Sequence, residues 1–170
     1  MTTTAMLLTG IIKGAVGAGT PVDLGNAALD LSIEEDTKEL SDYQNPGGGS
    51  IASVSRIKSV TLKLKLWSIN AENLALATRG TVSGTGTQTV EALTKTAEDW
   101  HITFDGVNEV NGDAVTYDFY KVKFSPASSL PGPGTEDFAV LELTGKVLKD
   151  TSKTGAGVSQ YFKATITPAA

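Results

Sequence analysis

From Ser59 to Trp67 the chain alternates without a break, with Val60, Leu62, Leu64 and Leu66 apolar and Ser59, Thr61, Lys63 and Lys65 polar between them. A period of two places one set on each face of a β-strand, half-buried and half-wet. The same rule reads Leu29, Leu31 and Ile33 as inward against Asp30 and Ser32, and Trp100, Ile102 and Phe104 as inward against His101 and Thr103. It continues through Ala139, Leu141 and Leu143, and through Phe162, Ala164 and Ile166. Two places break phase. Arg56-Ile57-Lys58 runs opposite to the strand after it, which predicts a bulge near Lys58, and the apolar phase of Val115–Phe124 switches between Phe119 and Tyr120. The fold expected is mostly β, an antiparallel sandwich or barrel.

One short flanking α-helix is predicted. Asn70 suits its N-cap, Ala71, Leu74, Ala75 and Thr78 line one side, Arg79 belongs to the last turn, and Gly80 suits a left-handed C′ position. A helix this short is marginal alone, so its apolar stripe must pack on a sheet.

At 170 residues the chain suits one compact domain, taken as 21–170 after an N-terminal arm at 1–20. The apolar stretch Ala5–Ile12, with Leu7 and Leu8, lacks a positively charged leader and is followed by Lys13, so it reads as a strand or arm covered by this subunit or a neighbour rather than as a signal peptide. Gly14–Gly19 lacks the glycine order of a dinucleotide site and the lysine of a phosphate loop, and reads as flexible arm. A long loop is expected at about 41–55, through Asp42, Tyr43, Gln44, Asn45, Pro46, Gly47, Gly48, Gly49, Ser50 and Ile51. A tight hairpin needs only two such residues, and loops of this length are commonly functional. A second turn is expected at Asn111-Gly112.

The chemistry-bearing residues are sparse. Net charge is −5, no lysine- or arginine-rich run occurs, there is no cysteine, and His101 is the single histidine. Specific DNA binding, a cofactor, a metal site and enzymatic activity are therefore not expected, since a hydrolase needs a nucleophile beside a base and zinc needs several soft ligands. Glu34, Glu35, Asp36, Glu39 and Asp42 form an acidic cluster relieved only by Lys38, while Lys63, Lys65, Lys121, Lys123, Lys163 and Glu142 fall on wet faces. These suit a solvated strand edge or the wall of a channel. No segment approaches the length of apolar sequence that a membrane span requires.

Several runs then take on a shared meaning: Leu7-Leu8-Thr9-Gly10, Leu24-Gly25-Asn26, Lys38-Glu39-Leu40-Ser41-Asp42-Tyr43 leading into Gly47-Gly48-Gly49, Ser55-Arg56-Ile57-Lys58-Ser59-Val60-Thr61-Leu62, and Asn70-Ala71-Glu72-Asn73-Leu74-Ala75-Leu76-Ala77 with Arg79-Gly80. In order and spacing they resemble the major tail tube proteins of long-tailed, non-contractile bacteriophages over the first half of the chain. The second half agrees in being strand-rich. The resemblance implies hexameric rings stacked into a tube, whose inner sheets join into one multi-subunit β-barrel. It implies as partners further copies of the chain, a tape measure protein, and tail terminator and distal tail proteins. DNA would pass only in transit, and the location would be the virion tail, assembled in the host cytoplasm. Leu7, Leu8 and the 43–51 segment would then face neighbouring subunits, and Glu34, Glu35, Asp36, Lys63, Lys65 and Glu142 would be candidates for the lumen or another wet face. Two other readings stay open: a β-sandwich module binding a carbohydrate or receptor, and a tail terminator forming a single ring.

Overall fold

The computed structural model describes residues 5–45, 47–134 and 136–170, so Pro46 of the predicted loop lies outside the described residues. The chain is mostly β and antiparallel with one short helix. In order the elements are β1 (Leu8–Val16), β2 (Val22–Asp23), β3 (Ala27–Ser41), β4 (Ser50–Leu66), α1 (Ala71–Thr78), β5 (Thr81–Ser83), β6 (Thr89–Glu91), β7 (Trp100–Asn108), β8 (Ala114–Phe124), β9 (Leu141–Val147) and β10 (Phe162–Thr167). The main sheet runs β2-β1-β7-β8-β9-β4-β3, with β10 also paired to β8, and β5 and β6 form a separate ribbon.

The alternating strands build the core. Leu62, Leu64 and Leu66 of β4 and Leu141 and Leu143 of β9 are buried against Ile12, Ile102, Phe104, Phe119 and Val122. Because residues from both ends of the strand order share one core, and β1 touches β3, the sheet must curl on itself. The phase switch in β8 is a bulge: Trp100 opposes Val122 while Ile102 opposes Phe119, so β8 carries one extra residue. It divides the far side of β8. Val122–Phe124 pair with β9, and Ala114–Phe119 pair with β10. Asp99 sits at this bulge; burial raises its pKa, but hydrogen bonds from Lys121 and Lys123 outweigh that and leave it below the usual value.

Three expectations change. The segment at 8–16 is not an arm: β1 pairs with β7 along its whole length, and Ile12 and Ala15 are buried. Its glycines had suggested flexibility, yet cross-strand pairing holds the backbone. Helix α1 starts at the Asn70 cap, whose side chain accepts from the Asn73 amide; of the expected stripe it buries Ala75 and Thr78 and packs Leu74 against the core, and it buries Asn73, Leu76 and Ala77 in addition. At its end Arg79, not Gly80, adopts the left-handed conformation (φ 50°), and its Nη2 donates to the Phe124 carbonyl at 2.8 Å. Gly80 is needed for close approach instead, since a Cβ there would lie 2.7 Å from the Glu91 carbonyl oxygen. Finally, Ala139 lies outside β9 and is exposed, and the described residues leave the inward side chains Ile33, Ala164 and Ile166 exposed.

Asn73 ties the helix to the sheet, donating from Nδ2 to the Leu24 carbonyl at 2.9 Å and to the Ser68 carbonyl at 2.7 Å. Asn73→Ala leaves both carbonyls short of a donor and should lower unfolding free energy by about 2–3 kcal/mol in urea titration. Asn70→Ala should cost about 1 kcal/mol by the same measurement.

Candidate assembly surface

Strands β3 and β4 form one hairpin whose pairing outlasts its burial. Ala27, Leu29, Leu31 and Ile33 oppose Leu66, Leu64, Leu62 and Val60 on the core side. From Glu34 to Ser41 and from Ser50 to Lys58 every residue is exposed, although the two strands stay paired. This distal half extends roughly 25 Å past the core at the usual rise of a strand. The loop at its end is therefore only 42–49. Ser41, Ser50, Ile51 and 52–55, expected as loop, are strand, because their alternating small and β-branched side chains pair in register, as Thr37 with Ser55.

The boundary falls at the predicted bulge. Glu34 opposes Ser59 and Glu35 opposes Ile57, which leaves Lys58 as the extra residue. The Glu34 carboxylate accepts from Lys58 Nζ at 2.9 Å and from Ser59 Oγ at 3.1 Å. The Lys58 hydrogen bond, followed by that from Ser59, holds the Glu34 carboxyl below its usual pKa. Beyond the bulge one face carries Glu35, Thr37 and Glu39 with Ile57, Ser55 and Ser53, and the other carries Asp36, Lys38 and Leu40 with Arg56, Val54 and Ala52. At the tip, the Asp42 carboxylate accepts from Asn45 Nδ2 at 2.6 Å and from the Gln44 amide at 2.9 Å, which lowers its pKa, the Asn45 bond first. That turn leaves Tyr43 outside, 88% exposed, with Leu40, Ile51 and Val54 also exposed nearby in sequence and register.

The remaining expected site residues are scattered. Leu7 is exposed but tethered, its amide donating to Asn108 Oδ1 at 2.9 Å and its carbonyl accepting from the Glu109 amide at 2.8 Å. Leu8 packs against the core. Lys65 pairs with Glu142 at 3.1 Å on the outer face, which Lys63, Glu34 and Asp36 share, whereas Glu35 continues the core face. His101 contacts Asp118 through Nε2 across β7 and β8, as part of an ordinary cross-strand cluster. Among the described residues no group of three His, Cys, Asp or Glu side chains is placed to hold a metal ion, and no helix is long and apolar enough to cross a membrane. Asn108, almost fully buried at the base of the β7–β8 turn, is a structural residue that the alternation does not single out.

Fold and surface together define a mostly-β protein with one curled antiparallel sheet and a paired hairpin standing clear of it. The chain belongs to the family described as "Protein of unknown function UCP028589", whose model matches residues 7–92 and 83–165. Among curated proteins no match is found. Of solved structures, the chain is similar to a component of "Cryo-EM Structure of an Extracellular Contractile Injection System, PVC sheath-tube complex in extended state", at 13% identity and a TM-score of 0.40, over 93% of this chain and 88% of that one. That is a likeness of outline, too slight to carry function.

The Glu34 clamp makes the hairpin pH-sensitive in a defined direction. A depressed carboxyl pKa contributes stability that is present above the unfolded value and lost as pH falls through the folded one. Amide exchange at Lys58 and Ser59 should therefore quicken, relative to the core of β4, as pH drops below the ordinary glutamate range. Glu34→Gln should show the quickened exchange already at neutral pH.

Proposed function

We propose that the protein is a non-catalytic structural subunit of a tail-like tube, copies of which associate into stacked hexameric rings enclosing a channel. The reading covers tubes with or without a sheath. The observation that carries it is the distal half of the β3–β4 hairpin. An isolated two-stranded ribbon is marginal in water, yet this one projects beyond the core and exposes Leu40, Tyr43, Ile51 and Val54. Such a ribbon is stabilised when another surface covers it, and an exposed strand edge is a pairing site between copies.

In this proposal the hairpin crosses to the next ring, the sheet edges meet within a ring, and the enclosed channel holds a tape measure protein before conducting DNA. The resemblance of Lys38–Tyr43 and Ser55–Leu62 to phage tail tube proteins supports the same reading. A ligand-binding module is the second reading, favoured by an apolar cavity of about 570 Å³ beside α1 that Val22, Leu76 and Trp100 help to line.

Negative-stain microscopy of the purified protein separates them, with long hollow filaments expected. Deleting Gly47–Ser50 should leave rings or monomers and no long tubes, because the shortened hairpin cannot reach. Wild-type protein that stays monomeric at high concentration would overturn the tube reading and favour the module.

A further inference from the structure

Four strands, β1, β7, β8 and β10, form one layer in which each neighbour is antiparallel. Cross-strand partners align in rows through it: Ile12–Phe104–Tyr117–Ala164, Ile11–Asp105–Thr116–Thr165 and Gly10–Gly106–Val115–Ile166. Among the described residues both ends of these rows are open. On one side β2 covers only Lys13 and Gly14, so the lower half of β1 has a free edge. On the other side β10 pairs with β8 alone.

The two edges are complementary in three respects. The first is direction: β1 and β10 run opposite ways, so β10 set beside β1 of a neighbour continues the antiparallel alternation, and an even number of strands per copy preserves it around a ring. The second is phase. The Ile12 carbonyl accepts from the Leu24 amide, so by the period of two Leu8 and Gly10 also turn their backbone groups to the free side. The Tyr120 amide donates to the Tyr161 carbonyl, so Ala164 and Ile166 turn theirs away from β8. Even-numbered residues therefore meet even-numbered residues, and on both strands these carry the inward side chains.

The third is shape. Gly10 can hold no side chain, since a Cβ would lie 2.3 Å from the Asp105 carbonyl oxygen and 2.4 Å from Gly106 Cα. Above it, between β1 and β3, lies a cavity of about 450 Å³ lined by Leu8, Gly10, Leu29, Phe104 and Tyr117 among others. At the other end of the same row Ile166 points inward with 49% of its surface uncovered, and Ala164 beside it is exposed. The layer thus has an apolar knob at one edge and, at the same height on the other, a hollow lined by apolar side chains and by polar groups of Thr9 and Asn26.

We propose that β10 of one copy pairs antiparallel with the lower half of β1 of the next, seating Ile166 in the hollow over Gly10, so that the four-stranded layer continues from copy to copy. The inference rests on the tube reading and names its lateral interface. It also assigns the continuous wall to the outer face of this layer, with Ile11, Lys13, His101, Asp118 and Lys163. Lys63, Lys65 and Glu142 belong to the β4–β9 side instead.

The absence of cysteine from the chain allows a direct test. Ile11 and the odd-numbered residues of β10 fall on the outer face and at non-hydrogen-bonded positions, where opposed side chains are closest and a disulfide can form. Closing a ring requires stagger between strands, which must be even to keep the faces matched. Ile11→Cys is therefore combined in turn with Lys163→Cys, Thr165→Cys and Thr167→Cys, and with Lys63→Cys as control. Under mild oxidation of assembled protein the Thr165 pair, which the seating of Ile166 over Gly10 sets directly opposite Ile11, should give the strongest ladder of covalent oligomers, while the control gives none; a ladder through Lys163 or Thr167 alone would overturn the seating. Ile166→Asp, half-exposed in the monomer, should keep the wild-type circular dichroism spectrum yet reduce the assembled fraction at least about tenfold in sedimentation, because a carboxylate cannot enter the hollow unpaired. Ile166→Leu should assemble. Filaments that form with no β10 crosslink, or that crosslink equally through Lys63, overturn this interface and leave the tube standing. Wild-type protein that does not assemble overturns the tube and the interface together.

Discussion

The antiparallel pairing of β4 is the constraint on which the rest of the structure depends. Its upper half, with Leu62, Leu64 and Leu66 fully buried, lies between β3 and β9 and is fixed on both sides. Its lower half keeps β3 as its sheet partner but loses β9 and the core. One continuous strand is thereby both anchor and lever. The apolar burial of a few leucines, each of the order of 1.5–3 kcal/mol, holds the base from which the unburied ribbon extends.

The bulge at Lys58 marks the changeover and shapes it. An inserted residue increases local twist, and Glu34 locks the insertion by accepting from both Lys58 and Ser59. The bulge in β8 acts similarly at the other side of the core. By turning the strand between Phe119 and Val122 it sends β9 up toward β4 and leaves β10 beside the lower half of β8. Both open margins of the four-stranded layer follow from that division, together with the short reach of β2.

Folding closes over only part of the apolar residues of this chain. Leucines and phenylalanines of β4, β7, β8 and β9 are closed into the core. Leu40, Tyr43, Ile51 and Val54 on the hairpin and Ile166 on β10 remain outside it, at sites where backbone groups or whole faces also lack cover. Exposed apolar groups beside an open strand edge are where a further strand or ligand gains most by docking.

Local residue patterns by themselves determined the strand-rich class, the bulge at Lys58, the phase switch in β8, the Asn70 cap and the turn at Asn111-Gly112, because each depends on side chains within a few positions of one another. Long-range contact decided the rest. Whether Leu8–Val16 is arm or strand depends on nine residues of β7 almost a hundred positions away, and whether 50–55 is loop or strand depends on its partners in β3. The helix buries Asn73, Leu76 and Ala77 beside the expected Ala75 and Thr78 because chain distant in sequence, at Leu24 and Ala127, is bonded to it. Most of all, Ile33 and Ile166 obey the same alternation as Leu64 and Phe104, yet only the latter pair is covered. Periodicity states which way a side chain points; only the tertiary structure decides whether anything in the same chain is there to meet it.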